Sequence, residues 1–250
     1  MSEAQPRAAI VTGGAGQLGA AIVRALRERG TAVIVLDREG PALDAIGTEP
    51  GVTAIACDLT DAAATVDAIA AAWAAAGGAV PVLVNAVGRI HSAPLVNLLG
   101  GGDVARAAAA WRETVEANLT AVFIATSAQV HRMVATRTRG VVVSLSSIAA
   151  AGNAGQAAYA AAKAGVNAAT LAWAKELGPM GIRFVAVAPG FIDTPSTHAA
   201  LSEAAVKDWQ RRTPLRRLGT AAEIAGAVLF AVDNGHLSGK VLEIDGGLTL

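Results

Sequence analysis

An apolar run, Ala8-Ala-Ile-Val-Thr12, passes directly into Gly13-Gly-Ala-Gly-Gln-Leu-Gly19 and then into a helix-forming stretch. Few junctions constrain a fold more tightly. Gly14, Gly16 and Gly19 fit the spacing G-x-G-x-x-G. A tight turn needs backbone angles that only glycine adopts freely, and a missing side chain lets backbone approach a bulky anion. The helix that follows offers free N–H groups and the positive end of its dipole to phosphate. The spacing alone is weak evidence. Its position between a strand and a helix makes it a dinucleotide-binding signature, with Gly13, Gly16, Gln17, Leu18 and Gly19 as the phosphate loop. A second apolar run, Val33-Ile-Val-Leu-Asp37, ends in an acid eighteen positions after Gly19. A carboxylate there can accept hydrogen bonds from both ribose hydroxyls of the adenosine and repels a 2′-phosphate. Arg38 beside it could bind that phosphate. The pair predicts NAD in preference to NADP.

The rest of the chain repeats the alternation. Short runs rich in β-branched residues fall at 8–12, 32–36, 52–56, 80–85, 141–145, 183–187 and 241–244. Alanine-rich helical stretches fall at 17–29, 62–76, 105–110, 111–135, 157–177 and 221–231. Strands that are apolar throughout imply burial on both faces. Alternation with helices implies a parallel sheet, and right-handed crossovers make it doubly wound. The expected fold is therefore α/β: one Rossmann domain over 1–250 with a seven-stranded parallel sheet flanked by helices. No linker divides it. Leu99-Gly-Gly-Gly-Asp103 reads as a loop between helices.

Composition narrows the function classes. The chain is 53% hydrophobic, with 20 Lys and Arg against 20 Asp and Glu. A neutral chain offers no global case for nucleic acid or an anionic membrane. Arg211, Arg212, Arg216 and Arg217 cluster, and read best as a solvated helix end. The one cysteine, Cys57, lies in an apolar run and excludes an intrachain disulfide or a cysteine-built zinc site. No metal is expected. The N-terminus lacks the pattern of a signal peptide, and no run has the length of a membrane helix. The expectation is a cytoplasmic protein.

Tyr159 stands four residues before Lys163 on a helical stretch, so the two share a face. A free tyrosine titrates near ~10 and is a poor base at neutral pH. An ammonium beside it, helped by a positive nicotinamide ring, is expected to lower that pKa and make it a usable acid or base.

These residues sit in an ordered series: Thr12–Gly19, Asp37, Asp58-Leu59, Asn85-Ala-Val-Gly88, Asn118, Ser146-Ser147, Tyr159 with Lys163, Pro189-Gly190 with Ile192 and Thr194, and Asp245-Gly-Gly247. The series covers nearly the whole chain and resembles the short single-domain branch of the short-chain dehydrogenase/reductase family. That resemblance implies hydride transfer between a nicotinamide cofactor and a secondary alcohol or ketone. By the same resemblance, Tyr159 is the acid/base, Lys163 holds the nicotinamide ribose, and Asn118 supports a proton relay. Asp58 with Leu59 would meet the adenine. Asn85, Ala86 and Gly88 would line the cofactor cleft. Pro189, Gly190, Ile192 and Thr194 would border the nicotinamide.

The serine that polarises the substrate has two candidates. Counting from the strand start at Gly140 selects Ser147. Counting back from Tyr159 by the family's spacing of thirteen selects Ser146. A one-residue deletion is easier in the 148–151 loop than in a strand, which favours Ser147. Two departures stand out. The family pattern T-G-x-x-x-G-x-G has a glycine where this chain has Gln17, and the early Gly16 resembles the longer branch that acts on sugar nucleotides. Asn85-Ala-Val-Gly88 replaces the family's Asn-Asn-Ala-Gly.

The segment near 190–215 is expected to be a substrate lid. His91, Asn153, Gln156, Phe191 and His198 are candidate substrate contacts. Gly152-Asn-Ala-Gly-Gln156 resembles ketoacyl reductases; a polyol or sugar dehydrogenase is the companion expectation. The family resemblance also implies a homotetramer or homodimer built through 111–135 and 157–177. A catalytically silent nucleotide-sensing or scaffold protein on the same fold is the competing reading.

Overall fold

The computed structural model describes residues 8–96 and 103–250, so Leu99–Gly102 of the loop expected between helices lie outside the described residues. Seven strands form one parallel sheet in the order β3-β2-β1-β4-β5-β6-β7. They are β1 (Ala8–Thr12), β2 (Ala32–Asp37), β3 (Val52–Ala56), β4 (Val82–Asn85), β5 (Gly140–Leu145), β6 (Ile182–Pro189) and β7 (Lys240–Ile244). Strand order reverses between β1 and β4, which opens a crevice at their carboxyl ends, where such sheets bind ligands. The helices are α1 (Gln17–Glu28), α2 (Pro41–Gly47), α3 (Ala62–Ala75), α4 (Val104–Val115), α5 (Ala121–Ala135), α6 (Ala157–Leu177), α7 (Pro195–Ala200), α8 (Glu203–Arg212) and α9 (Ala221–Asp233).

Successive side chains of a strand point to opposite faces. Ala9 and Val11 of β1 therefore join Val33, Val35 and Val84 under α1 and α9. Ile10 joins Ile34, Leu36 and Leu83 against α3 and α5. Both faces are covered, and all five residues of β1 are buried. The two outer strands depart from the expectation of burial on both faces: β3 and β7 each mix partly exposed and exposed positions, because each has a neighbour on one side only. Cys57, just past β3, is buried in the second cluster.

Several element ends differ from those read in the sequence by a residue or two, and three differences are larger or have a clear cause. β4 starts at Val82 and not at 80, since Pro81 has no N–H to give the ladder. The helix expected to break between 110 and 111 runs on through α4, and its irregularity falls at Glu116–Thr120, one π-helical turn before α5. Three short helices were not anticipated: α2, opened by Pro41, and α7 and α8 in the segment read as lid loop.

A buried amide ties the centre of the sheet together. Asn85 accepts from the Thr12 hydroxyl at 3.2 Å and donates to Thr126 at 2.9 Å and Ser144 at 3.2 Å. It links β1, β4, β5 and α5 immediately beneath the crevice.

Candidate active site

The glycine loop is shaped by close contact. A Cβ on Gly13 would stand 2.6 Å from the Val87 backbone, and one on Gly19 only 2.1 Å from the Gly13 carbonyl. Gly13 also has φ +67°. Gly16 is different: a Cβ there meets nothing nearer than the Gly13 carbonyl at 3.3 Å. It caps α1 without a side chain, and the first turn of α1 holds no acid. The α1 terminus thus keeps free donors and an uncancelled dipole, which suits a dinucleotide's phosphates. Leu18 packs partly buried against the core.

Asp37 braces this loop. Its Oδ2 accepts from the Ala15 N–H at 3.0 Å, and its Oδ1 from the Arg38 N–H at 2.8 Å. Each carboxylate oxygen retains a further lone pair for a ribose hydroxyl. Asp58 accepts from the backbone N–H and hydroxyl of Thr60 at 3.0 and 2.7 Å. Those two bonds, with a smaller contribution from nearby Arg38, hold its carboxyl below the usual range.

Two residues assigned to the cleft face the core instead. The Asn85 side chain is fully buried, with both ends of its amide engaged below the crevice. Leu59 is buried among Ile34, Leu36 and Ile69. Ala86, next to Asn85 in the chain, is partly buried against the core, and its N–H donates to the Thr12 carbonyl at 2.9 Å. Pro189 is buried at the end of β6, and Gly190 leaves no room for a Cβ, which would lie 2.8 Å from the Asp245 backbone. Ile192 is buried in the core, and Thr194 is buried as the cap of α7.

The structure brings Tyr159, Lys163, Ser147, Asn118 and Gly88 together beyond the ends of β4 and β5. Lys163 is buried, donates to the Leu145 carbonyl at 2.8 Å, and has its ammonium 5.7 Å from the centre of the Tyr159 ring. Burial lowers its pKa to about 8. Burial raises that of Tyr159, while hydrogen bonding from Ser147 pulls the other way. The direction is opposite to that expected from the sequence: in the protein alone, desolvation outweighs any help from Lys163, and the positive nicotinamide ring belongs to the cofactor.

The two serines point apart, as residues adjacent along an extended chain must. Ser146 turns inward and is buried, donating to the Lys163 carbonyl at 3.3 Å. Ser147 faces Tyr159. Its oxygen accepts from the Ala149 N–H at 3.1 Å, capping a short 3₁₀ turn at Ile148–Ala151, and its hydrogen is given on the Tyr159 side.

Asn118 lies in the π-helical turn. Its amide donates to the Thr114 carbonyl at 2.8 Å and to the Arg89 carbonyl at 2.9 Å, and accepts from the Arg89 N–H at 3.0 Å. It clamps the loop after β4 against the helix. A Cβ on Gly88 would lie 2.6 Å from the Asn118 oxygen and 3.3 Å from the Lys163 nitrogen, so only glycine fits between them. Thr114 and Arg89, which take part through backbone atoms, left no signal in the sequence.

Around the mouth, Asn153 donates to Gln156 at 3.0 Å and Gln156 to Ser92 at 3.1 Å. His91 is half-buried on the same loop as Ser92. His198 pairs with Asp193 at 2.7 Å. Phe191 stacks on Trp209 with ring centres 4.0 Å apart, and the Arg212 guanidinium lies 4.1 Å over Trp209. The arginine cluster is resolved into local pairs: Arg211 with Asp208, Arg217 with Glu223 at 2.6 Å, Arg216 on the Arg211 carbonyl, Arg212 on the tryptophan. Among the described residues no cluster of His, Cys, Asp and Glu could hold a metal, and no helix is long and apolar enough to cross a membrane.

Comparison with known proteins agrees with this geometry. The family model described as enoyl-(acyl carrier protein) reductase matches residues 13–249. The chain is 35% identical to the 3-oxoacyl-[acyl-carrier-protein] reductase FabG of Thermotoga maritima, over 96% of this chain and 97% of that protein. It is 37% identical to cis-4-hydroxycyclohexanecarboxylate dehydrogenase of Sinomonas cyclohexanicum, over 97% and 96%. A short-chain dehydrogenase/reductase crystal structure from Burkholderia thailandensis superposes with a TM-score of 0.84 at 33% identity, covering 98% of this chain and 93% of that one. The chain belongs to the short-chain dehydrogenase/reductase family. It is an oxidoreductase of alcohol and ketone groups, of a family that binds NAD or NADP.

Proposed function

We propose that this enzyme is an NAD-dependent dehydrogenase or reductase in which Tyr159 exchanges a proton with the oxygen of a secondary alcohol or ketone. The observation that carries the reading is the facing pair of hydroxyls on Ser147 and Tyr159, with Lys163 buried beside them. The cofactor, when bound, supplies or accepts the hydride. Ser147 donates to the substrate oxygen and orients it toward Tyr159. Lys163 and Asn118 hold the surrounding backbone, and Lys163 supports the tyrosinate once a ligand has changed the local field. Gly13, Gly16, Gln17, Leu18 and Gly19 seat the phosphates. Asp37 takes the ribose hydroxyls and disfavours a 2′-phosphate, while the charge of Arg38 also lies near enough to help lower the Asp58 pKa.

The substrate is a 3-oxoacyl or polyol-like secondary alcohol or ketone. Relatives named as 3-oxoacyl reductase and as galactitol 2-dehydrogenase of Cereibacter sphaeroides support both arms. The enzyme works in the cytoplasm as a homotetramer or homodimer, paired through the α4–α5 and α6 faces. Trp111, Phe123 and Leu171 are exposed there, which supports that surface. The segment 190–215 is the lid. No observation favours a silent sensor, since the tyrosine and lysine are both retained.

The test is turnover of a panel of secondary alcohols, polyols and hydroxyacyl thioesters with NAD and NADP separately. Tyr159→Phe is expected to abolish turnover and keep nucleotide binding by fluorescence titration. A native protein that binds neither cofactor would overturn the proposal.

A further inference from the structure

Gln17 stands where the family pattern has a glycine, and its side chain crosses to the lid. Its Oε1 accepts from the Ser196 hydroxyl at 2.7 Å and from the Ser196 N–H at 3.4 Å, joining positions 179 apart in sequence. One partner opens α1 at the glycine loop; the other lies in the first turn of α7.

Behind Ser196 the contact continues as a line of hydroxyls. Thr197 donates to the Ile192 carbonyl at 2.7 Å. Thr194 lies 2.9 Å from the Thr197 hydroxyl and 3.1 Å from that of Ser196. Each hydroxyl has a single hydrogen to give. That of Thr197 goes to Ile192 and that of Ser196 to Gln17. Only the Thr194 hydrogen remains, and it serves one of its two neighbours at a time. The line from the chain just past β6 to the glycine loop is therefore hydrogen-bonded at all but one of the two Thr194 links at any moment. Facing Ser196 with its oxygen also orients the Gln17 amide. Its two Nε2 hydrogens have no partner among the described residues and remain available at an uncapped helix terminus.

We propose that Gln17 and Ser196 form a latch that fastens the lid helix to the phosphate loop, so that opening the lid and releasing the dinucleotide are one event. The inference rests on the cofactor reading given above. In this scheme the Gln17 side chain is a positioning group that acts on the cofactor through α7, while its backbone belongs to the phosphate loop. A glycine at position 17 could not reach across.

One exposed hydrogen bond corresponds to about a two- to tenfold change in an open–closed equilibrium. Gln17→Leu, which keeps helix propensity, Gln17→Gly, which restores the family residue, and Ser196→Ala are compared with the native enzyme. Amide exchange across residues 196–201 is followed in the protein without cofactor, and dinucleotide release by stopped-flow fluorescence. Each variant is expected to speed both by about two- to tenfold. Gln17→Leu combined with Ser196→Ala is expected to do no more than either alone. Intact dinucleotide binding with unchanged exchange and release overturns the latch alone. Additive effects in the double variant overturn it as well. Failure of the native protein to bind NAD or NADP overturns the cofactor reading and the coupling with it, while lid exchange still reports whether the two side chains hold.

Discussion

Lys163 donates to the Leu145 carbonyl at 2.8 Å while its ammonium stays 5.7 Å from the centre of the Tyr159 ring. In the protein alone the lysine is thus directed at backbone, and burial has lowered its pKa to about 8. The unfolded chain restores the ordinary value of 10.5. A depressed lysine binds fewer protons when folded, so stability rises with pH between about 8 and 10. Below that window the buried charge costs up to about 3 kcal/mol. Urea unfolding of the native protein and of Lys163→Met at pH 7 and pH 9.5 checks this. The native protein is expected to gain on the variant as pH rises. A gap that is flat with pH would contradict it.

Tyr159 is the only tyrosine in the chain, so its titration can be read directly by ultraviolet absorbance of the phenolate. Without cofactor it is expected to ionise above the ordinary tyrosine value, because burial dominates. Saturation with oxidised cofactor is expected to move it down, since a positive ring near the hydroxyl favours the phenolate. An apo titration below the ordinary value would refute the balance drawn here.

The two serines should separate cleanly. Ser147→Ala removes the donor facing Tyr159 and is expected to lower kcat by about 10²–10³. Ser146→Ala removes one buried bond to the Lys163 carbonyl and is expected to cost about 1 kcal/mol of stability with kcat within tenfold. Kinetics beside thermal melts distinguish them, and a larger loss of kcat in the Ser146 variant would reverse the assignment.

Asp37→Ala is expected to weaken NAD about ten- to a hundredfold, since bonds to charged groups are worth about 1.5–3 kcal/mol. NADP should lose much less, as the repulsion of its phosphate is removed too. Part of the NAD loss would come from the Ala15 amide that Asp37 holds at 3.0 Å. Paired titrations with both cofactors give the ratio, and tighter NADP than NAD in the native enzyme would refute the reading of Asp37.

Phe123→Glu with Leu171→Glu is expected to lower the assembly state in analytical ultracentrifugation, because both side chains are exposed on the helices assigned to subunit pairing. An unchanged mass would move the interface elsewhere.

The sheet was legible because its signals are local. Apolar runs, glycines and helix periodicity act within a few residues, and their order implied a seven-stranded doubly wound sheet. The facing of Ser147 depended on chain direction past β5, which counting left open between two adjacent positions. Asn85 and Leu59 were read as cleft residues from their motifs, yet both pack beneath it. The Asn85 amide is engaged by Thr126 and Ser144 and Leu59 packs in the cluster of Ile34 and Leu36, partners distant in sequence. The direction of the Tyr159 shift needed its degree of burial, which no spacing reveals. The tie from Gln17 to Ser196 spans most of the chain and shows in the sequence only as a missing glycine.

The π-helical turn at Glu116–Thr120 holds one residue more than an α-helix of the same rise would need. It takes up that residue without turning the helices on either side. Each residue of an α-helix advances about 100° around the axis, so an extra one within regular helix would swing Trp111 to another face, whereas the wide turn absorbs it. Closing the turn as ordinary α-helix by one deletion would leave α4 and α5 in phase, yet it would remove the wide place where the Asn118 amide meets the backbone of Thr114 and Arg89. The extra residue serves that amide and not the direction of the helix.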